Sequence, residues 1–396
     1  MVSYSLLFFP IIILAGIYLL YWNERGVIIQ RKALGEGSKV VIGHDDTAEI
    51  NDDLDGELIH FSGKATTDYL VYDTIFGVGL DDDFLKVRRT VEMYQWVEER
   101  KEGEYEYSLK WKPYVVNSNR FRKKTLENPS TMPYKGTTFV GADIEVDAFL
   151  LSKEVVDKMD WFKPYPNVEK SSILDASTSS KATLYENMFY FGIGSPDPEN
   201  PIVGDTRVGF EFIPSEVISV VAKQTPTGLS AYTSKSGGTV LLVEPGNLNE
   251  DEIFDKANWE LSLQAWFFRF IGWVIVWIGF WLWMKPFAKS IPFVKGLSVG
   301  LATLTACMAI AVAWVIYRPL ISGIIMLVVV LLGVGLWFAL KRTFGKKKQQ
   351  EVQVVCEVPD ASDRGVSEVP DVTDTVASEN SDAHDTVPKS KVMEEP

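Results

Sequence analysis

Ala265-Trp-Phe-Phe-Arg-Phe-Ile-Gly-Trp-Val-Ile-Val-Trp-Ile-Gly-Phe-Trp-Leu-Trp-Met284 is the stretch that decides the fold, and Arg269 is its one charged residue. About 20 apolar residues wound as a helix cross the hydrocarbon of a bilayer with every backbone polar group satisfied internally. Arg269 lies near the start of the run, where its stem can snorkel to the interface. Two runs of the same kind follow, Leu297–Tyr317 and Leu320–Leu340. Only Arg318 and Pro319 separate them, which predicts a tight turn between antiparallel helices. A fourth run, Leu6–Trp22, is uncharged and contains Pro10. No Lys or Arg precedes it and no small-x-small cleavage pattern follows it, so it reads as a retained span rather than a leader. The expected spans are therefore 5–22, 265–284, 297–317 and 320–340.

Charge along the chain orients these spans. The 396 residues carry 53 acids against 39 Lys and Arg, net −14, which argues against a nucleic-acid partner. Residues 261–348 hold no Asp or Glu and ten Lys and Arg, among them Lys285, Lys289 and Lys295 between spans two and three, and Lys341, Arg342 and Lys346–Lys348 after span four. Basic loops stay on the cytoplasmic side, so both termini are expected there, with residues 23–264 in a lumen or periplasm. Arg25, Arg31 and Lys32 directly after span one point the other way, and the larger clusters outweigh them. Beyond Lys348 the chain turns acidic, with twelve Asp and Glu and a repeated Glu-Val-Pro-Asp at 357–360 and 368–371. A segment of this composition cannot bury a core, so 341–396 reads as a basic juxtamembrane stretch followed by a disordered tail.

The long segment between spans one and two reads as β-rich. Phe84–Glu99 and Tyr105–Val116 alternate apolar and polar residues, with Gly103 between them to turn a hairpin. Val203–Ile213, Val217–Ala222 and Thr239–Val243 also read as strands. Ser152 with Glu154 starts a short helix, and Asn249 with Glu252 forms a capping box opening a helix that leads into span two. Lys163–Ser180, rich in Ser and Pro, reads as a loop. A faint echo links Gly56–Phe61 and Phe84–Arg88 with Asn187–Phe191 and Asp205–Phe210, a possible duplicated β-unit against chance likeness between strands.

Chemistry-bearing motifs are sparse. There is no nucleophile elbow, zinc-protease helix or phosphate loop. Two Cys and three His exclude a disulfide framework and a rich metal site. Asn51-Asp-Asp-Leu-Asp-Gly56 imitates half of a calcium loop, but Ser62 stands where the bidentate Glu belongs, which favours a solvated turn. Asp205 and Arg207, two apart on a strand, face one side and could pair with each other or with Arg89 or Glu92 opposite. Trp266, Trp273, Trp277 and Trp281 share a helical face, as a packing feature or a lipid contact, and Ala302, Ala306, Ala309 and Ala313 form a ridge that lets another span approach. Cys307 reads as packing, and Cys356 beyond the basic cluster is a weak palmitoylation candidate.

Val91-Glu92-Met93-Tyr94-Gln95-Trp96-Val97-Glu98, followed by Tyr107-Ser108 and Trp111, resembles the transmembrane protein 43 (LUMA) family. Asn128-Pro129, Leu151-Ser152 with Asp157-Lys158, Pro201-Ile-Val-Gly204-Asp205-Thr-Arg207-Val208, Ser234-Lys235-Ser236-Gly237 and Tyr317-Arg318-Pro319-Leu320 match in order and spacing across roughly residues 5–342. The resemblance implies four spans and one large extramembrane domain, with both termini cytoplasmic or nucleoplasmic. It implies self-association and envelope partners such as emerin and lamins in an animal setting, in the endoplasmic reticulum and inner nuclear membrane. In a bacterium it implies the inner membrane. It supplies no catalytic residue, no cofactor and no metal. The motif positions carried over are Glu92, Tyr94, Gln95, Trp96, Gly204, Asp205, Arg207, Tyr317, Arg318 and Pro319.

The expectation is thus an α+β membrane protein, with four transmembrane helices and a large β-rich extramembrane domain inserted between helices 1 and 2. Its expected role is a non-enzymatic scaffold that touches membrane lipid, forms a homo-oligomer and organises other membrane or envelope proteins. The alternative is a lipid- or small-solute-binding or transport module gated by the extramembrane domain. Acids embedded in the spans would favour transport, and the four runs contain none.

Overall fold

A computed structural model describes residues 3–44, 47–194, 196–226, 228–287 and 294–356. The acidic tail from 357 onward and Lys289 lie outside the described residues, as do the side chains of Lys346–Lys348 and Cys356. Among the described residues, four helices are long and apolar enough to cross a membrane: α1 (Ser3–Val40), α4 (Glu250–Met284), α5 (Val294–Trp314) and α6 (Pro319–Cys356). The β-rich region lies between α1 and α4, the architecture expected from the sequence.

Its main strands are β1 (Leu58–Thr66), β2 (Phe84–Lys101), β3 (Glu104–Lys112), β4 (Thr137–Val140), β5 (Met188–Phe191), β6 (Thr206–Pro214), β7 (Val217–Thr225) and β8 (Leu242–Pro245). Two short helices, α2 (Lys153–Lys158) and α3 (Ala176–Lys181), lie between β4 and β5. One sheet centres on the antiparallel pair β7 and β1, with β8 on the far side of β7. The other runs β3-β2-β6-β5, with β4 also on β2. Glu102 and Gly103 both have positive φ, 50° and 99°, and close the two-residue β2–β3 hairpin. The favoured hairpin turn asks for that conformation at both central residues.

Apolar residues fill three layers of this body. Ile59, Phe61, Ile218 and Val220 pack with Val155 and Met159 around α2. Phe76, Val87, Phe189 and Val208 fill the second sheet, where Phe76 stacks on Phe189 at 5.5 Å. Ala33 and Leu34 of α1 meet Leu58, Val221, Val240, Ile253 and Phe254. That third cluster explains why α1 continues to Val40 rather than ending near Trp22. The apolar run stops at Trp22, but the helix goes on because its next turns are buried against the first sheet.

Glycines bring α1 and α4 together within the spans. A Cβ on Gly16 would come within 2.6 Å of Val276, one on Gly272 within 2.6 Å of Leu20, and one on Gly279 within 2.5 Å of Ile13. The alanine ridge of α5 packs where the sequence suggested: Ala302, Ala306 and Ala309 are buried with Leu20 and Val276. The tryptophan stripe divides. Trp273 and Trp277 stack at 6.1 Å and partly line this cluster, and Trp273 donates to Thr303 Oγ1 at 3.1 Å, whereas Trp266 is exposed.

Several local expectations change. Lys163–Ser180 is not wholly loop: Lys163–Pro164 pairs with β6, and Asp175 caps α3 by accepting from Thr178 N at 2.7 Å. β5 pairs with β6, whereas β1 pairs with β7 and not with β2, so the faint echo is not a repeated hairpin. The α5–α6 turn is as tight as expected, but α5 ends at Trp314, because the chain turns over 315–318 to enter α6 with Pro319 at its first position.

Candidate functional site

The motif residues gather in two places. The first is a corner of the second sheet. Arg207 on β6 stands opposite Glu92 on β2, and its Nε donates to Glu92 Oε2 at 2.7 Å. The guanidinium also lies 4.6 Å from the Trp111 ring centre. Asp205, just before β6, does not join this pair. Its carboxylate accepts from Tyr190 Oη, from Ile193 N at 3.0 Å and from Ile202 N at 2.9 Å. It is 2 % exposed, so a charge there needs every one of those donors. Burial first, then the hydrogen bond and charge of Asp205, push the Tyr190 hydroxyl well above the ordinary tyrosine range.

Gly204 makes the turn possible, with φ +98° and its N–H donating to Tyr94 O at 2.9 Å. Tyr94 N returns a bond to Asp205 O at 2.8 Å, and the Tyr94 ring packs on Trp111 at 5.2 Å. Gln95 is fully buried and bridges β2 to the chain beyond β3, donating to Tyr114 O at 2.9 Å and accepting from Val116 N at 2.8 Å. Asn128 imitates a further strand. Its amide oxygen accepts from Trp96 N at 2.8 Å, and its nitrogen donates to Trp96 O at 2.9 Å and Val116 O at 3.1 Å. About 430 Å³ of open space lies beside Asn117 and Asn128, where the Asn128 amide is already engaged in these bonds.

Arg89, weighed as a partner for this corner, is instead buried against Asp73, with Nη1 2.9 Å from that carboxylate. Lys86 is buried too, donating to Val156 O at 2.6 Å and Met159 O at 2.8 Å, and burial lowers its pKa. Sequence reasoning missed both roles. Period two puts Lys86 on one face of a half-buried strand, but both faces of β2 are covered at that end. The calcium-like string is a tied turn: Asn51 caps Asp52–Leu54, and Gln224 on β7 donates to Asn51 O at 2.7 Å and Asp55 Oδ1 at 3.1 Å. Among the described residues no group of three His, Cys, Asp or Glu could hold a metal ion.

The second place lies among the spans. Since α1 carries on past Trp22, it brings an acid into the bundle, against the expectation that the spans hold none. Glu24 is fully buried. Arg269 of α4 reaches it through Nε at 2.5 Å and Nη2 at 3.0 Å, and Trp314 Nε1 of α5 donates to it at 2.7 Å. Arg269 therefore turns inward rather than snorkelling alone. Tyr317 and Arg318 follow in the α5–α6 turn, with Lys32 Nζ 4.4 Å over the Tyr317 ring and Arg318 5.6 Å over the Trp314 ring. Ser322, one turn into α6, donates to Ala311 O at 2.7 Å and closes the hairpin that Pro319 opens.

Both places fall largely within one region of likeness. The profile of the family described as Transmembrane protein 43 matches residues 93–319, more than half of the chain. The chain belongs to the transmembrane protein 43 family. It is similar to Transmembrane protein 43 of Rattus norvegicus, 29 % identical over 346 residues, covering 79 % of this chain and 84 % of the relative. The Homo sapiens protein is 28 % identical over 341 residues, covering 78 % and 83 %. The Transmembrane protein 43 homolog of Drosophila melanogaster is 28 % identical over 352 residues, covering 81 % and 91 %. No solved structure matches the chain. The transmembrane protein 43 profile takes in Gln95, Asp205, Arg269, Trp314 and Arg318, while Glu92 and Glu24 lie before its first residue.

Proposed function

We propose that this transmembrane protein 43 family member is a non-enzymatic membrane scaffold that self-associates and organises other membrane or envelope proteins. The observation that carries the reading is how the polar residues of both clusters are used. Asp205, Gln95, Asn128 and Glu24 each spend their hydrogen-bonding capacity on partners within the chain. Groups so engaged hold a shape and offer no free nucleophile or base. Self-association has a surface available: Leu320, Ile324, Leu327 and Leu331 recur along one face of α6 and are all at least 60 % exposed. In a bilayer that face meets lipid or a second copy.

The termini belong in the cytoplasm, or in the nucleoplasm at a nuclear envelope, with the β-rich body in a lumen or periplasm. The Lys and Arg on either side of α5 and α6 support this through the positive-inside bias. Emerin- or lamin-like partners belong to an animal setting alone. Solute transport ranks second, because both oxygens of Glu24 are occupied and leave no free carboxylate to carry a proton or ion.

Crosslinking in native membranes tests the leading reading: discrete oligomers are expected, and a strict monomer that moves solute into liposomes would replace it with transport. Cysteine labelling at Ser180 and Ser390 should find them on opposite sides of the membrane.

A further inference from the structure

Two cavities among the spans are lined by successive turns of one face of α1. The upper, of about 260 Å³, is lined by Glu24, Arg31, Lys32, Arg269, Tyr317 and Arg318, with apolar residues between them. The lower, of about 450 Å³, is an apolar groove bordered by Ile17 and Tyr21 of α1, Met308 and Val312 of α5, and Val329 of α6. On α1 the sequence Ile17, Tyr21, Glu24, Ile28, Arg31 steps by four, three, four and three residues, which keeps all five on one helical face. The lining changes from apolar to basic between Tyr21 and Glu24. The groove alone is of the size at which small-molecule sites occur, roughly 300–1,000 Å³.

Depth fits the change in character. Tyr18, Tyr21, Trp22 and Trp266 are exposed at this level of α1 and α4, and exposed Trp and Tyr mark the boundary between hydrocarbon and headgroups. The upper cavity thus lies at headgroup depth, and the groove lies the next turns down α1, toward hydrocarbon.

Charge selects the ligand. The upper cavity has four cations against one carboxylate. Arg269 is spent on Glu24, and Arg31 holds Ser262 Oγ at 3.0 Å. Lys32 and Arg318 make no ion pair among the described residues and lie only over aromatic rings. Two cations held at headgroup depth without a counter-charge are what a phosphate diester would neutralise.

We infer that this pair of cavities is a site for an anionic glycerophospholipid, with its phosphate between Lys32 and Arg318 and an acyl chain in the groove beside Met308. The site is independent of the scaffold reading and adds a ligand to the part of the chain carrying the Tyr317-Arg318-Pro319 motif.

Native mass spectrometry of the full chain in detergent tests it, with phosphatidylglycerol, phosphatidylcholine and inorganic phosphate as probes. The protein should retain phosphatidylglycerol in preference to phosphatidylcholine. K32Q/R318Q should weaken retention about thirtyfold, the effect of losing two basic residues at the surface. Met308→Trp, which fills the groove, should weaken phosphatidylglycerol retention while leaving the melting temperature unchanged. Equal retention of the two lipids, or unaltered retention by the double variant, overturns the proposal. Displacement of the lipid by inorganic phosphate at millimolar concentration also overturns it, in favour of a site for the free anion. If the double variant fails to fold, the comparison of the two lipids on the unaltered protein still decides.

Discussion

Asp205 in the β-rich body and Glu24 among the spans are both buried carboxylates, and they are held in different ways. Asp205 accepts from a phenol and two backbone N–H groups, all neutral, while the cation nearest in sequence, Arg207, goes to Glu92. Glu24 is matched by the full charge of Arg269 and by the indole of Trp314. In the body, a turn wraps the backbone around a carboxylate and supplies its donors locally. In the spans, backbone N–H groups are committed to the helices, so donors must come from side chains on other helices. The lesson is that Asp205 is held by donors within about fifteen residues of sequence, whereas Glu24 is held by side chains 245 and 290 positions away.

The largest effect should come from breaking the pair in the spans. Arg269→Met removes the direct ion-pair partner of the buried Glu24, and a loss of about 3–5 kcal/mol is expected. Thermal melts of the detergent-solubilised protein would show it, and adding Glu24→Gln should recover a good part. If R269M alone melts normally, the contrast between the two carboxylates fails.

Asp205→Asn should cost less, about 1–3 kcal/mol, because an amide keeps one acceptor oxygen but turns a donor toward Tyr190 or the backbone. Stability unchanged with partner binding lost would mark Asp205 as a binding residue instead. Gly204→Ala should cost a comparable amount, about 1–3 kcal/mol. Its φ of +98° disfavours a side chain, and a Cβ would meet Ile193 at 2.7 Å.

The body should also weaken in alkali. Burial raises the Tyr190 hydroxyl and lifts Tyr165 to about 12, from an ordinary value of 10.0. A tyrosine whose folded pKa is raised contributes fully below pH 10 and loses that contribution as pH climbs toward the folded value. Melts at rising pH should fall above 10, and Tyr190→Phe should flatten part of the drop. The smallest effect belongs to the Glu92–Arg207 pair, whose side chains are each 32 % exposed. Arg207→Met should cost about 0.2–1 kcal/mol and lose its effect in high salt.

What could be read in advance follows the same division. The apolar runs announced the spans, period two with Gly103 announced the β2–β3 hairpin, and Asn249 with Glu252 announced a capping box that the structure contains. Each is a local signal. Glu24 and Arg269 stand 245 positions apart, and nothing near either names the other. The extension of α1 was hidden for a related reason. Glu24, Arg25, Arg31 and Lys32 interrupt its apolar pattern, and the packing that stabilises those turns comes from Leu58, Val221 and Phe254. Of the motif positions, the Arg207–Glu92 pairing was among the alternatives the strand pattern offered, whereas the carboxylate of Asp205 depends on a loop conformation that no spacing rule foretells.

α1 and α4 leave the apolar layer and enter the β-rich body without a break in helix, and Ala33, Leu34, Ile253 and Phe254 sit in its core. There is no slack joint at the waterline on either helix. Any tilt of this pair of helices is therefore carried directly to Leu58 of β1 and Val221 of β7, which pack against them.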